Sequence, residues 1–146
     1  MQKSPQLSST TLTTSRSGQA KIKIRKKKIL LIETNAVIDK IYRIIFSREK
    51  DLEFRAINDF KELEKIAAKF KPDLILLGVH FPNDRDLEFI RILKNHRELK
   101  KIPIIILGPG HDLVSEKYFR AGVEEMIDVS RLPLDAIVQK VKKTAP

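Results

Sequence analysis

Pro72-Asp73-Leu74-Ile75-Leu76-Leu77-Gly78-Val79-His80-Phe81-Pro82 decides how this chain is read. Leu74–Leu77 is an unbroken apolar run between Pro72 and the turn signals Gly78 and Pro82. A strand with one wet face alternates apolar and polar residues; a continuous run suits a strand buried on both faces of a parallel sheet. Ile29–Ile32, upstream, and Ile104–Leu107, downstream, have the same texture. The segments between them carry helical spacing. Ile38, Ile41, Ile44 and Ile45 form one stripe, and Leu63, Ile66, Ala67 and Phe70 a second. Asp59-x-x-Glu62 precedes the second stripe and predicts a capping box. Phe89, Ile90 and Leu93 follow the central run, and Leu134, Ile137, Val138 and Val141 follow Pro133 near the end. Leu52–Ile57 alternates, as an edge strand does. Glu125–Val129 follows Gly122, a stop for a helix beginning near Asp112. Strands alternating with helices predict a doubly wound α/β domain over residues 28–144, with five parallel strands and helices on both faces.

The charge is distributed unevenly. The 146 residues hold 29 Lys+Arg against 19 Asp+Glu, but residues 1–28 hold eight of the basic groups and no acid. The other 118 residues therefore carry a surplus of only +2. Residues 1–27, rich in Ser and Thr and then basic, are read as a disordered tail, because so little apolar surface cannot offset the entropy of ordering. Lys21–Lys28 is left as a basic linker with a short extension of the first strand. The absence of Cys excludes disulfide scaffolds, thiol catalysis and Cys-based zinc sites. His80, His96 and His111 leave little scope for a His-rich metal centre. No apolar run approaches the roughly 20 residues of a membrane helix. The N-terminus lacks the apolar stretch of a signal peptide, and a single Arg before residue 20 argues against a transit peptide. A cytoplasmic location is expected. With the domain running almost to Pro146, no appended output domain is expected.

Ligands of an open α/β sheet gather beyond the carboxyl ends of its strands. Those positions hold Glu33-Thr34-Asn35, Gly78-Val79-His80, Gly108-Pro109-Gly110 and Val129-Ser130. Together with Pro72-Asp73 before the central run, Phe81-Pro82 after it, Ile102-Pro103 before the fourth strand and Ala121-Gly122-Val123-Glu124-Glu125 before the last, they make residues 28–143 resemble a response-regulator receiver domain. The resemblance implies a sheet of order 2-1-3-4-5, flavodoxin-like, and a place in two-component phosphorelay signalling. The family's activity is transfer of a phosphoryl group from a histidine kinase to an aspartate of the receiver. Mg²⁺ is held by an acidic pair, and a Thr or Ser and a Lys meet the phosphoryl oxygens.

Carried over by position, the resemblance puts Gly78 where the acceptor aspartate stands, and Glu33 with Thr34 in place of the acidic pair. Gly108 takes the hydroxyl position and Val129 the lysine position. His80 supplies only a backbone carbonyl, and Met126 replaces the aromatic switch residue. The pattern predicts a degenerate pseudo-receiver without a phosphoacceptor, not an enzyme, with no cofactor and no bound Mg²⁺. Asp84 and Asp86 are read as N-terminal caps of the following helix rather than substitute acceptors. Glu33 is read as a strand-end acid and His80 as a solvated loop residue. Asp128 either approaches the pocket or turns away to pair with a Lys. Gly108-Pro109-Gly110 is read as a turn, not a phosphate loop. The two glycines leave room in which a small molecule could bind.

The function expected is a phosphorylation-independent protein–protein interaction module with a signalling protein as partner. Family members present the face of the fourth helix, fifth strand and fifth helix, here Glu116, Lys117, Arg120, Met126, Gln139 and Lys140. The alternative is nucleic-acid or anionic-surface binding through Lys21, Lys23, Arg25, Lys26, Lys27 and Lys28, six charges in eight residues. No aromatic residue interrupts that run, so base stacking has no support. A true receiver with unusual residues is the remaining reading.

Overall fold

A computed structural model describes residues 10–14, 20–80, 84–109 and 112–146, with side chains from residue 25 onward except 112–115. In chain order its elements are β1 (Thr10–Thr14), β2 (Ala20–Ile24), β3 (Lys27–Ile32), α1 (Ala36–Ser47), β4 (Leu52–Ile57), α2 (Leu63–Phe70), β5 (Leu74–Gly78), α3 (Asp84–Asn95), β6 (Ile104–Gly108), α4 (Asp112–Ala121), β7 (Glu125–Asp128) and α5 (Leu134–Thr144). Five strands form one parallel sheet in the order β4-β3-β5-β6-β7, which is 2-1-3-4-5 counted within the sheet.

The apolar runs divide by parity, as the period of two requires. Leu30, Ile32, Ile75, Leu77, Ile104 and Ile106 pack on one side, with Leu63, Ala67 and Phe70 of α2, Ile90 and Leu93 of α3, and Tyr118 of α4. Ile29, Leu31, Leu74, Leu76, Ile105 and Leu107 pack on the other, with Tyr42 and Phe46 of α1 and Ile137 and Val141 of α5. Each fully buried Ile, Leu or Phe among them contributes about 1.5–3 kcal/mol. β4 lies at one edge of the sheet, and the alternation of Leu52–Ile57 reflects it.

Several local expectations are corrected. The N-terminal segment is not wholly without regular structure: β1 and β2 pair antiparallel as a separate two-stranded sheet. The polar composition of this segment argues for disorder, but its Thr and Ile side chains favour strand; residues 1–9 and 15–19 lie outside the described residues. The buried face of α1 is Tyr42, Ile45 and Phe46, while Ile44 is 48% exposed. Aromatics replace part of the isoleucine stripe, because Phe46 stacks on Phe54 of the neighbouring edge strand, 4.8 Å between centroids. The capping box before α2 does not form: Glu62 makes no cap bond, and Asp59 instead accepts from the Lys61 amide at 2.7 Å. β7 ends at Asp128, because that side chain accepts from the Ser130 amide and folds Val129–Arg131 into a 3-10 turn.

Candidate functional site

The parallel register sets Ile32 opposite Leu77, so Glu33 and Gly78 leave the sheet side by side. Asn35 then caps α1, its Oδ1 accepting from the Val37 and Ile38 amides at 3.0 Å each. That turn folds Glu33 back over the sheet. Glu33 is 0% exposed, with Oε2 accepting from the Asn35 amide at 3.0 Å and lying 2.7 Å from His80 Nε2. Its Oε1 has no hydrogen-bond partner among the described residues and points at Gly78. A Cβ built on Gly78 would lie 2.1 Å from Oε1 and 2.8 Å from Cδ. The carboxyl group of Glu33 therefore fills the space that an acceptor side chain on residue 78 would take.

Gly108 is closed off differently. A Cβ there would lie 2.4 Å from the Val79 carbonyl oxygen, in a strand end fixed by the Val79 amide donating to Leu107 at 2.9 Å. The room expected above the two glycines is thus taken, at Gly78 by a side chain and at Gly108 by backbone. His80 is not a solvated bystander but the partner of Glu33, its ring 39% exposed. Asp86, in the first turn of α3, is buried close enough to Glu33 and His80 to feel their charges. Burial pushes its carboxyl up to about 6, against the pull of Arg85 and His80, with Glu33 adding to the rise. Burial also holds the Tyr42 hydroxyl up at about 12, with help from Glu33.

The other strand-end residues do not converge on this point. Thr34 is exposed and lines a cleft of about 520 Å³ with Phe60, Arg85 and Phe89. Val129 is half-buried against the α1–α5 side of the core. Asp128 bonds to Ser130 and pairs with Arg131 at 3.3 Å. Asp84 and Asp86 sit in the first turn of α3, where its positive end favours acids. Residues 81–83 and 110–111 lie outside the described residues.

The donor set does not suit the Mg²⁺ that a receiver implies. Mg²⁺ asks for octahedral oxygen ligands with carboxylates free to bind. The one carboxylate at the end of β3 has its Oε2 committed to His80 and the Asn35 amide, which leaves a single oxygen, and no group of three metal-ligating side chains occurs among the described residues.

On the expected partner face, Glu116, Lys117, Arg120, Gln139 and Lys140 are exposed. Glu116 pairs with Arg120 along α4, and Lys140 lies 3.6 Å from Glu125. Met126 is half-buried and packs against the core beneath α2, α3 and α4. The basic segment is partly engaged by the domain. Arg25 bonds Asp73 at 2.7 Å, and the Lys28 amide donates to the other Asp73 oxygen at 2.8 Å. Lys27 Nζ donates to the Ala145 carbonyl at 2.9 Å, and Lys28 Nζ lies 5.5 Å from the centre of the Phe70 ring. Lys26 is exposed, and the side chains of Lys21 and Lys23 lie outside the described residues. The register of β3 with β5 was the signal that could have revealed the Glu33–Gly78 contact; Asp73 as an anchor had none beyond its place before a strand.

No helix among the described residues is long and apolar enough to cross a membrane. No family model matches the chain. The polar-differentiation response regulator DivK of Brucella anthropi is 30% identical over 116 residues, covering 80% of this chain and 94% of its own. DivK of Brucella ovis is 29% identical over the same shares. Among solved structures, chemotaxis protein CheY4 of Vibrio cholerae superposes with a TM-score of 0.70 at 16% identity, covering 81% of this chain and 98% of that one. The Mn²⁺-bound response regulator Rcp1 gives 0.64 at 22%, covering 81% and 93%. The sheet order and the DivK relationship converge: the chain belongs to the response-regulator family and carries its receiver fold.

Proposed function

We propose that this receiver is a pseudo-receiver: a phosphorylation-independent interaction module in two-component signalling that binds a protein partner and is not an enzyme. The observation that carries the reading is the Glu33 carboxyl group occupying the side-chain space of residue 78, with His80 Nε2 2.7 Å from its Oε2. Glycine offers no atom for an acyl phosphate. The hydroxyl and lysine positions, Gly108 and Val129, supply nothing to stabilise transferring charge. With no bound Mg²⁺ and no covalent step, binding rests on a constitutive surface. Glu116, Lys117, Arg120, Gln139 and Lys140 form the exposed part of the face we assign to the signalling partner.

The test is incubation of the full-length protein with phosphoramidate and Mg²⁺, read by intact mass. No phosphorylated species is expected in the natural chain or in Gly78→Asp. A phosphoryl group retained on any carboxylate, Glu33 and Asp86 included, would overturn the reading.

A further inference from the structure

We infer that the open edge of β4, together with the hollow between it and α1, binds an extended acidic peptide segment of a partner protein as an added strand. This surface is separate from the face assigned above, and the inference does not depend on whether the pocket accepts phosphate.

The edge follows from the topology. β4 ends the sheet, with β3 on its inner side. The Lys27 amide donates to Asp51 and the Glu33 amide to Ile57, so the odd-numbered residues of β4 turn their main-chain groups toward β3. By the alternation of the ladder, Leu52, Phe54 and Ala56 turn theirs outward. The two ends of that outer row are met by the chain itself: the Leu52 amide donates to Glu49 at 3.4 Å, and Arg43 Nη2 donates to the Ala56 carbonyl at 2.9 Å. Phe54 lies between these stops. An edge strand with outward N–H and C=O groups is a template for an incoming strand.

The chemistry beside the edge selects the occupant. The hollow of about 540 Å³ between α1 and β4 is lined by Lys40, Arg43 and Arg55 and by no acid. Its apolar part comes from Ile44, 48% exposed, and from Phe54 and Ala56. Arg55 leans across the strand, its guanidinium 5.7 Å from the Phe70 ring, so Lys40 and Arg43 are the cations at the mouth. Arg43 holds Asp39 through Nε at 2.8 Å while Nη2 covers the Ala56 carbonyl. An incoming strand would take over that carbonyl with its own N–H and release one edge of the guanidinium to a carboxylate. A peptide that alternates acidic and aliphatic residues fits both demands. Its carboxylates meet Lys40 and Arg43, and its aliphatic groups cover Ile44 and Phe54.

The probe is the capped peptide Glu-Val-Glu-Val-Glu-Val, titrated into full-length ¹⁵N-labelled protein and followed by amide NMR and hydrogen exchange. Shifts are expected at Phe54, Ala56 and residues 40–47, with slowed exchange at the Phe54 amide. Lys40→Glu, an exposed change that leaves the fold intact, is expected to weaken binding roughly threefold to fivefold, the effect of losing one exposed charge pair. The same peptide N-methylated at alternate residues is expected not to bind, because it cannot donate along the edge. Equal binding by the N-methylated peptide, equal binding by Lys-Val-Lys-Val-Lys-Val, or shifts confined to residues 20–28 would each overturn the inference. So would a peptide-free chain that sediments as a dimer with the Phe54 amide already protected, since a second copy would then own the edge.

Discussion

Gly78 and Gly108 both refuse a Cβ, but what they would strike differs, and so should the cost. At Gly78 the obstacle is the far end of a glutamate side chain, which can swing aside at the loss of its bond to His80. Gly78→Ala is expected to cost about 1–2 kcal/mol, much of it that charge-assisted bond. At Gly108 the obstacle is the backbone of Val79, so Gly108→Ala is expected to cost about 2–3 kcal/mol by forcing the strand end apart. A double-mutant cycle in urea separates the two. In a Glu33→Ala background the Gly78→Ala penalty should largely vanish, while the Gly108→Ala penalty should remain. Asp86 adds a pH dependence of known sign. Its folded carboxyl titrates near 6, above the ordinary value of 3.8. The folded state therefore holds more protons than the unfolded state between those values, and stability falls as pH rises from about 4 to 6. Asp86→Asn should gain on the natural chain by on the order of 1 kcal/mol between pH 4.5 and pH 7, measured by paired urea melts. An unchanged difference would show that this burial is not felt by the charge.

At the scale of elements, α2 and β3 show how polar residues at chain turns set the boundaries. α2 stops at Lys71, which takes a left-handed conformation at φ 54° before Pro72. Lys71→Gly relieves that backbone and is expected to raise stability by about 0.5–1 kcal/mol, provided helix content by circular dichroism is unchanged. β3 begins where Asp73 receives the Lys28 amide and the Arg25 guanidinium. Asp73→Ala leaves that amide without its acceptor and is expected to cost about 1–2 kcal/mol, with faster hydrogen exchange at Lys28. The strands themselves were legible: Ile29–Ile32, Leu74–Leu77 and Ile104–Leu107 admit no exposed face, and each residue of these runs is buried. The helix faces were less so. The isoleucines of α1 mark its inner side only in part, because Tyr42 and Phe46 reach further into the core than an aliphatic count suggests. The β1–β2 ribbon was missed for a related reason: threonine reads as polar by composition but as strand-forming by shape.

For the whole molecule, residue identity alone shows that Gly78, Gly108 and Val129 stand where the resemblance puts an aspartate, a hydroxyl and a lysine. It does not show what takes their place. Glu33 and Gly78 are far apart in the chain and meet only through the pairing of β3 with β5, and the longer reach of glutamate over aspartate then closes the gap. Glu33, His80 and Asp86 thus gather at that end of the sheet, the two carboxyl groups buried and the His80 ring partly exposed. On the reading proposed above, the receiver is held in one state and is recognised by its surface rather than switched by its pocket. The most direct measurement is an amide NMR titration of the full-length chain with Mg²⁺ and beryllofluoride, a mimic of the aspartyl phosphate. Silence at residues 33–35, 78–80 and 108–109 is the result expected of a pocket already filled by Glu33. Saturable shifts clustered at those strand ends would contradict it, for they would mean that the carboxyl group yields its place to metal and phosphate.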